Sequence, residues 1–585
     1  MDLSTLGQGF VGGAQGLFGL LSILSLTSPK LPSAAPVEDG AIFDYLIVGG
    51  GTAGSIVANR LTEEKNINVL LIEAGEDPDI ETTVPGFMTF LPNTPYDYNF
   101  PTVNDNFSAQ NLKENAVRIT AGKALGGSSV LHHMIQVRGN RRDYQTWATA
   151  ADDSSWDYDS LLPYFIKSEQ VKSPEILNSE TGSYHGTEGY VNMTKEPHKV
   201  NKDILDAFVE MGYEYLVDVN GNKTLGVAEP LFVIDDGVRQ SMAECHLSAA
   251  KDRSNLFVYK GTTVTKILFD DDKNAIGVEI FTKDSKTMTI KARKEIILAA
   301  GVIRTPQVLM LSGIGPKTHL KEFNIDVISD LPVGETFQDH FGVVVAHKLN
   351  KSPILTSLSP SFPDFKQFPA PTTVGFKSLD PDATYPDFQA INLRMPHNSI
   401  GLPSLCSNVF KYKNSICNEM IRSNIGRDLL FSVFFIMQPY SRGKVELRNT
   451  DPMDYPSIYT GYFSNTTDLD NLGSYLLHFS AIANTTYFKS VDAELVDFNL
   501  EDCNDLDRNS YDYWRCYGLK MSSTIWHPAS TCPMGPVLDS KLNVRGVKKL
   551  RVVDASGLPS VNSGQLMAAV MVFAEKAADL IKEDM

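Results

Sequence analysis

The sequence predicts an α/β protein that opens on a Rossmann-like unit, and three observations in one short stretch predict it. Tyr45-Leu46-Ile47-Val48 is an unbroken apolar run, as a parallel strand buried on both faces requires. Gly49, Gly51 and Gly54 follow it in the pattern G-x-G-x-x-G. Val69-Leu70-Leu71-Ile72 is a second apolar run, and it ends in Glu73, about 20 residues beyond Gly54.

Each element has a physical task. The first glycine allows a tight turn, the second lets backbone approach a pyrophosphate, and the third lets the following helix pack close to the strand. Ser55 to Lys65 reads as that helix, its amino-terminal dipole facing the phosphates, with Thr52 and Ala53 in the turn beside them. Glu73, followed by Ala74, is placed to accept hydrogen bonds from the ribose hydroxyls of an adenosine. The chain is expected to bind an adenine dinucleotide, and composition and spacing leave FAD and NAD both open. No second G-x-G-x-x-G follows a strand elsewhere, so one nucleotide is expected rather than a flavin and nicotinamide pair.

Composition narrows the class further. Hydrophobic residues at 42% and charged residues at 21% fit a globular enzyme and exclude a disordered chain or a collagen-like fibre. The 585 residues are enough for about two to three large domains. With 52 basic and 70 acidic residues the formal net charge is −18, and no long basic run offsets it, which argues against a nucleic-acid partner. Six cysteines are too few for a disulfide scaffold, although Cys406 and Cys417, and Cys503 and Cys516, are close enough to be bridged. No metal site is expected.

The amino terminus suggests export. Residues 16–28 are apolar but too short to span a membrane, and Ser33-Ala34-Ala35 supplies small residues near a cleavage point, so residues 1–40 read as a leader and the protein as extracellular. No Lys or Arg precedes Lys30, which keeps an intracellular enzyme with an apolar leader as the alternative. Six N-x-[ST] sequons, at Asn106, Asn192, Asn222, Asn350, Asn465 and Asn484, decide nothing, because about four or five would arise by chance.

Beyond the nucleotide loop the sequence resembles the glucose–methanol–choline oxidoreductase family from about Phe43 to Ile581. Four further stretches carry the resemblance. Gly122-Lys123-Ala124-Leu125-Gly126-Gly127-Ser128-Ser129, running on to Val137-Arg138-Gly139, is similar to one diagnostic segment, and Ala300-Gly301 through Pro306-Gln307 to Gly315-Pro316 is similar to the second. Val333-Gly334-Glu335 with Gln338-Asp339-His340 comes next. Trp526-His527-Pro528 through Cys532-Pro533-Met534-Gly535 then precedes Leu550 to Ser556. The texture resembles the insect branch with glucose dehydrogenase-like and ecdysone oxidase-like members.

The resemblance implies FAD as cofactor, held non-covalently, because Arg118-Ile119-Thr120-Ala121 lacks the histidine that tethers it in choline-oxidising members. It places Gly122, Lys123, Gly126, Gly127, Ser128 and Ser129 against the pyrophosphate or flavin, Val264 at the adenine, and Ala300-Gly301 near the cofactor. It places Trp526, Asp554-Ala555, Gln565 and Leu566 beside the flavin and ribityl chain. Thr305-Pro306 reads as the start of a helix that Gly313 ends. Met567 to Lys582 reads as an amphipathic helix, with Phe573, Ala577 and Ile581 inward and Glu575, Lys576, Asp579 and Lys582 wet.

An alcohol oxidised by a flavin loses a hydride and a hydroxyl proton, and neutral histidine suits the proton. Of the 11 histidines, His527 stands where the family carries its base. The family adds a second polar residue, His or Asn, at the start of the last helix; here it is Gln565, which can orient a hydroxyl but has no useful pKa. His132 stands where an asparagine is usual near the flavin's reactive edge, and Met567 where a polar side chain is common.

The expected architecture is a discontinuous cofactor domain (41–160, 237–335 and 522–585) and a substrate domain (161–236 and 336–521) with an antiparallel sheet and helices, in which Lys444 to Arg448 alternates like a half-buried strand. The expected function is FAD-dependent oxidation of a CH–OH group, with an apolar alcohol such as ecdysone as substrate and oxygen as acceptor. Sugar oxidation with a quinone acceptor and a catalytically silent flavin protein are the alternatives.

Overall fold

The computed structural model describes residues 31–351 and 364–585, together with Gly13. Two sheets organise it. The first has seven strands in the order Leu256–Tyr259, Val69–Ile72, Ile42–Val48, Thr287–Leu298, Ala275–Thr282 and Thr262–Phe269, with Leu550–Val552 also paired to Thr287–Leu298. Ile42–Val48 lies parallel to both Val69–Ile72 and Thr287–Leu298, and its Leu46 and Ile47 have no exposed surface. The second sheet is antiparallel, in the order Glu494–Leu495, Phe341–Lys351, Arg427–Ile436, Phe388–Met395, Thr372–Lys377 and Gly226–Ala228, with Ser523–Thr524 paired to Phe341–Lys351. The fold is therefore a discontinuous Rossmann-like unit joined to a part built on an antiparallel sheet and helices.

Local chemistry moves several boundaries. The helix expected over Ser55 to Lys65 runs Thr52–Leu61. It ends at Leu61 with Thr62 as its cap, whose N–H and hydroxyl both donate to the Ala58 carbonyl. The helix expected to start at Thr305-Pro306 starts at Gly301 and continues to Leu311, with Pro306 inside it. A proline there leaves the carbonyl four residues back without its N–H partner. That carbonyl belongs to Val302, and the Thr531 hydroxyl donates to it at 2.7 Å, which lets the helix pass through the proline.

The terminal helix, Leu566–Glu583, buries Phe573, Ala577 and Ile581 as expected, but its wet face is narrower than the pattern implies. Glu575 has no exposed surface and takes a two-point ion pair from Arg60, at 2.8 Å for each contact. Lys576 is also buried, over the Trp156 ring and bonded to the Ser155 hydroxyl. Lys444–Glu446 forms a strand, but in a separate two-stranded ribbon with Ser457–Tyr459.

Cys406 is bonded to Cys417 and Cys503 to Cys516, while Cys245 and Cys532 are free and buried. The apolar stretch 16–28 lies outside the described residues. Ala34 and Ala35 are inside them and lie along the edge strand, where the Ala35 N–H bonds the Val258 carbonyl at 2.8 Å. Among the described residues no helix is long and apolar enough to cross a membrane.

Candidate active site

One cavity runs from the nucleotide loop to the histidines of the carboxy-terminal segment. At one end Gly49, Gly51, Thr52, Ala53, Glu73 and Ala74 line it. The glycines are there for clearance. A Cβ on Gly49 would stand 2.3 Å from the Ala299 carbonyl oxygen, and one on Gly127 would stand 2.5 Å from the Cα of Gly51. Gly54 does not reach the cavity; a Cβ there would strike the Gly49 carbonyl oxygen at 1.9 Å, so it serves the helix–strand contact. Glu73 is held by two backbone donors, Gly50 N–H on Oε2 and Gly75 N–H on Oε1, both at 2.7 Å. Burial raises its pKa, against the lowering pull of those donors and Lys123.

The Gly-Gly-Ser-Ser loop forms the opposite wall. Gly122, Gly127, Ser128, Ser129 and His132 line the cavity. Gly126 sits behind them with φ +95°, its N–H on the Gly50 carbonyl at 2.7 Å, so it joins the two glycine loops. Lys123 is exposed and lines a neighbouring cavity with Arg304 and Tyr455. Val264, Ala300, Gly301, Asp554, Ala555 and Leu566 complete the walls. Asp554 fixes the start of the Gly301 helix, its Oδ2 accepting from Gly301 N–H at 2.9 Å and from the Thr305 hydroxyl at 2.6 Å.

At the far end stand Trp526, His527 and Gln565. Trp526 has φ +59°, a strained conformation for a bulky residue. His527 is held from three sides. Its backbone N–H donates to Asp339 Oδ1 at 2.8 Å, its Nδ1 meets His340 Nδ1 at 2.9 Å, and its ring lies 6.0 Å from that of Phe435. His340 Nε2 lies 2.9 Å from the Met437 carbonyl oxygen, which can only accept. That partner puts the His340 proton on Nε2 and leaves its Nδ1 as a lone pair. His527 must then donate from Nδ1, and its own Nε2 keeps the free lone pair of a base. Burial holds His340 at about 4 and His527 well below the ordinary histidine value, with His340 and His133 adding to the latter, so both rings are neutral at pH 7.

The model of GMC oxidoreductases matches this chain over residues 43–342, and a second model of the same description matches residues 439–574. The chain belongs to the GMC oxidoreductase family. It is 34% identical over 572 residues to an ecdysone oxidase of Spodoptera littoralis, covering 95% of this chain and 94% of that one. It is 31% identical over 554 residues to a glucose dehydrogenase [FAD, quinone] of Drosophila melanogaster, covering 92% and 87%. Its fold superposes on pyridoxine 4-oxidase from Mesorbium loti with a TM-score of 0.78 at 26% identity, covering 92% and 99%. This GMC protein is an FAD-dependent oxidoreductase acting on CH–OH donors.

The residues present fit FAD. Two glycine loops approach too closely for side chains, and the first turn of the Thr52–Leu61 helix lines the cavity without a side-chain cap, while a buried carboxylate closes one end and a neutral imidazole the other. Thr120, Ala121 and Gly122 line it without a histidine to form a tether. Bound FAD supplies the acceptor for the substrate hydride. The chain's own residues line the cavity with two glycine loops, an imidazole lone pair at His527 and an apolar wall.

Two features of this site are not legible in the sequence, and of a third, His132, only the place is. Asp339 and His340 are visible there only as part of a segment, with no role, because the partner they hold is about 190 residues away. Gln389, which bonds Gln565, carries no sequence signal. His132 lines the cavity, and its Nδ1 accepts from Met134 N–H at 2.7 Å, which puts its proton on Nε2, a buried atom with no partner among the described residues.

Proposed function

We propose that this chain oxidises the hydroxyl of a bulky apolar alcohol, of the kind an ecdysteroid presents, with His527 as the base, Gln565 placing the oxygen and dioxygen reoxidising the flavin. One observation carries the reading: beyond the cofactor cradle the wall is apolar, with Met88, Phe368, Ile391, Leu393, Leu405 and Val409, and the polar groups gather at the histidine end. A sugar would leave most of its hydroxyls unpaired against that wall, at about 1–3 kcal/mol for each buried group. The 34% identity to a protein named ecdysone oxidase supports the same substrate class.

His527 Nε2 takes the hydroxyl proton while Gln565 bonds the same oxygen. Residues 41–160, 237–335 and 522–585 hold the cofactor, and 161–236 with 336–521 shape the substrate space. The expected secretory leader and two disulfides support an extracellular enzyme.

Anaerobic bleaching of the bound flavin tests the reading, with ecdysone, glucose, benzyl alcohol and choline as the panel. Bleaching by ecdysone with recovery in air is the expected result. Bleaching by glucose without recovery on admitting air would replace it with a sugar dehydrogenase. A flavin that a chemical reductant bleaches and no alcohol does would mark a silent site.

A further inference from the structure

Gln565 caps the start of the terminal helix and lines the cavity with 9% of its surface exposed. Its Nε2 donates to Gln389 Oε1 at 3.2 Å. Two atoms of this pair are buried and have no partner among the described residues: Gln565 Oε1 and Gln389 Nε2. Buried amide atoms without partners are uncommon, and each costs about 1–3 kcal/mol unless a ligand or water meets it.

Gln389 is fully buried on Phe388–Met395, on the same strand face as Ile391 and Leu393, which line the cavity. Its neighbour across the ladder is Phe435, whose ring contacts both His340 and His527. The glutamine pair thus sits on the wall that carries the base.

A carboxamide pair can exchange its donor and acceptor together. If both amides turn over together, Gln389 Nε2 donates to Gln565 Oε1 and their mutual hydrogen bond survives. The group that Gln565 offers the cavity changes from an acceptor to a donor. An alcohol brings an O–H donor, whereas its oxidised product brings a carbonyl that only accepts.

We propose that Gln389 is a positioning residue that lets Gln565 meet the substrate hydroxyl as an acceptor and the product carbonyl as a donor, with the pair's own hydrogen bond kept throughout. This rests on the alcohol oxidation proposed above.

The test is a double-mutant cycle on the flavin-loaded protein, read by the flavin reduction rate with the best alcohol of the panel and by inhibition with its carbonyl product. Gln389→Met is close in volume and keeps the wall apolar, so flavin content and melting temperature should match wild type. It should slow flavin reduction about 10-fold, the equivalent of one hydrogen bond, and weaken the alcohol and the carbonyl alike. In a Gln565→Met background the same change should cost less than about 2-fold, because coupled neighbours do not add.

Gln389→Glu provides the rescue. Burial keeps a carboxyl there protonated, with one donor and one acceptor as in the amide. It should run within about 3-fold of wild type, well above Gln389→Met.

Equal losses from Gln389→Met in both backgrounds would overturn the pairing. A Gln389→Glu no better than Gln389→Met would do so as well. A loss confined to the alcohol, with product inhibition intact, would remove the turnover of the pair. If no alcohol bleaches wild-type flavin, the proposed function itself has failed and the cycle is read from carbonyl binding alone, by the shift it causes in the oxidised flavin spectrum.

Discussion

His527 and His340 meet Nδ1 to Nδ1 at 2.9 Å although they are 187 residues apart, and the Met437 carbonyl on the far side of His340 sets which ring carries which proton. The His527 ring is therefore fixed by a chain of three groups, and replacing the middle one should release it. His340→Leu is expected to lower kcat/KM about 10²-fold while flavin content holds, and His527→Ala to lower it by about 10²–10⁴. Stopped-flow flavin reduction on both variants checks this; an unchanged rate in His340→Leu would sink the relay.

The pH profile should carry the mark of Asp339 rather than of His527. Burial holds His527 well below its ordinary value, so it stays a base on moderate acidification. Asp339, which accepts the His527 backbone N–H, is pushed up to about 6 by burial, against the pull of Thr524, Tyr462 and backbone donors. Activity is expected to fall first near pH 6, and Asp339→Asn should abolish that limb. A limb that survives in Asp339→Asn would assign it elsewhere.

Outside the cavity lining, His185 sits between Glu169 at 3.1 Å and Asp218 at 2.8 Å, with Arg138 on the same Glu169. Burial opposes its charge, but the hydrogen bonds to Asp218 and Glu169 win and raise it to about 9. A base whose folded pKa is raised contributes stability that is complete below its unfolded value of about 6.5 and is lost as pH climbs through the folded value. Melting temperature should therefore decline between about pH 6.5 and 9. The decline should vanish in His185→Gln, at a lower plateau.

The Arg60–Glu575 pair joins the nucleotide helix to the terminal helix. Glu575→Ala leaves a buried guanidinium short of its main partner and should cost about 3–5 kcal/mol of stability. The double change Arg60→Met with Glu575→Leu should cost less than that single one. Chemical denaturation of the flavin-loaded chain gives both numbers, and a double variant worse than the single would refute the argument.

How far the sequence reads depends on how local each specification is. The nucleotide unit was legible because one turn of chain imposes it. Gly49 and Gly54 avoid contacts of 2.3 and 1.9 Å that a Cβ would make, and the apolar runs on either side can only be buried strands. Position along the chain also placed His527 and Gln565 at the cavity. The helix at Gly301 was misread because Pro306 looks like a first-turn residue until the Thr531 hydroxyl, on a distant segment, takes the carbonyl it frees. The face of the terminal helix was misread because Glu575 and Lys576 look wet until Arg60 and Ser155 reach them.

The sequence by itself determined the cofactor-binding unit and the residue types of the site, since spacing and backbone sterics act within a few turns. Tertiary structure alone decided which nitrogen of His527 keeps its lone pair, which amide faces Gln565 and how apolar the cavity wall is. Those depend on hydrogen bonds between segments up to 187 residues apart, and a proton or an amide has no orientation until its partner is in place.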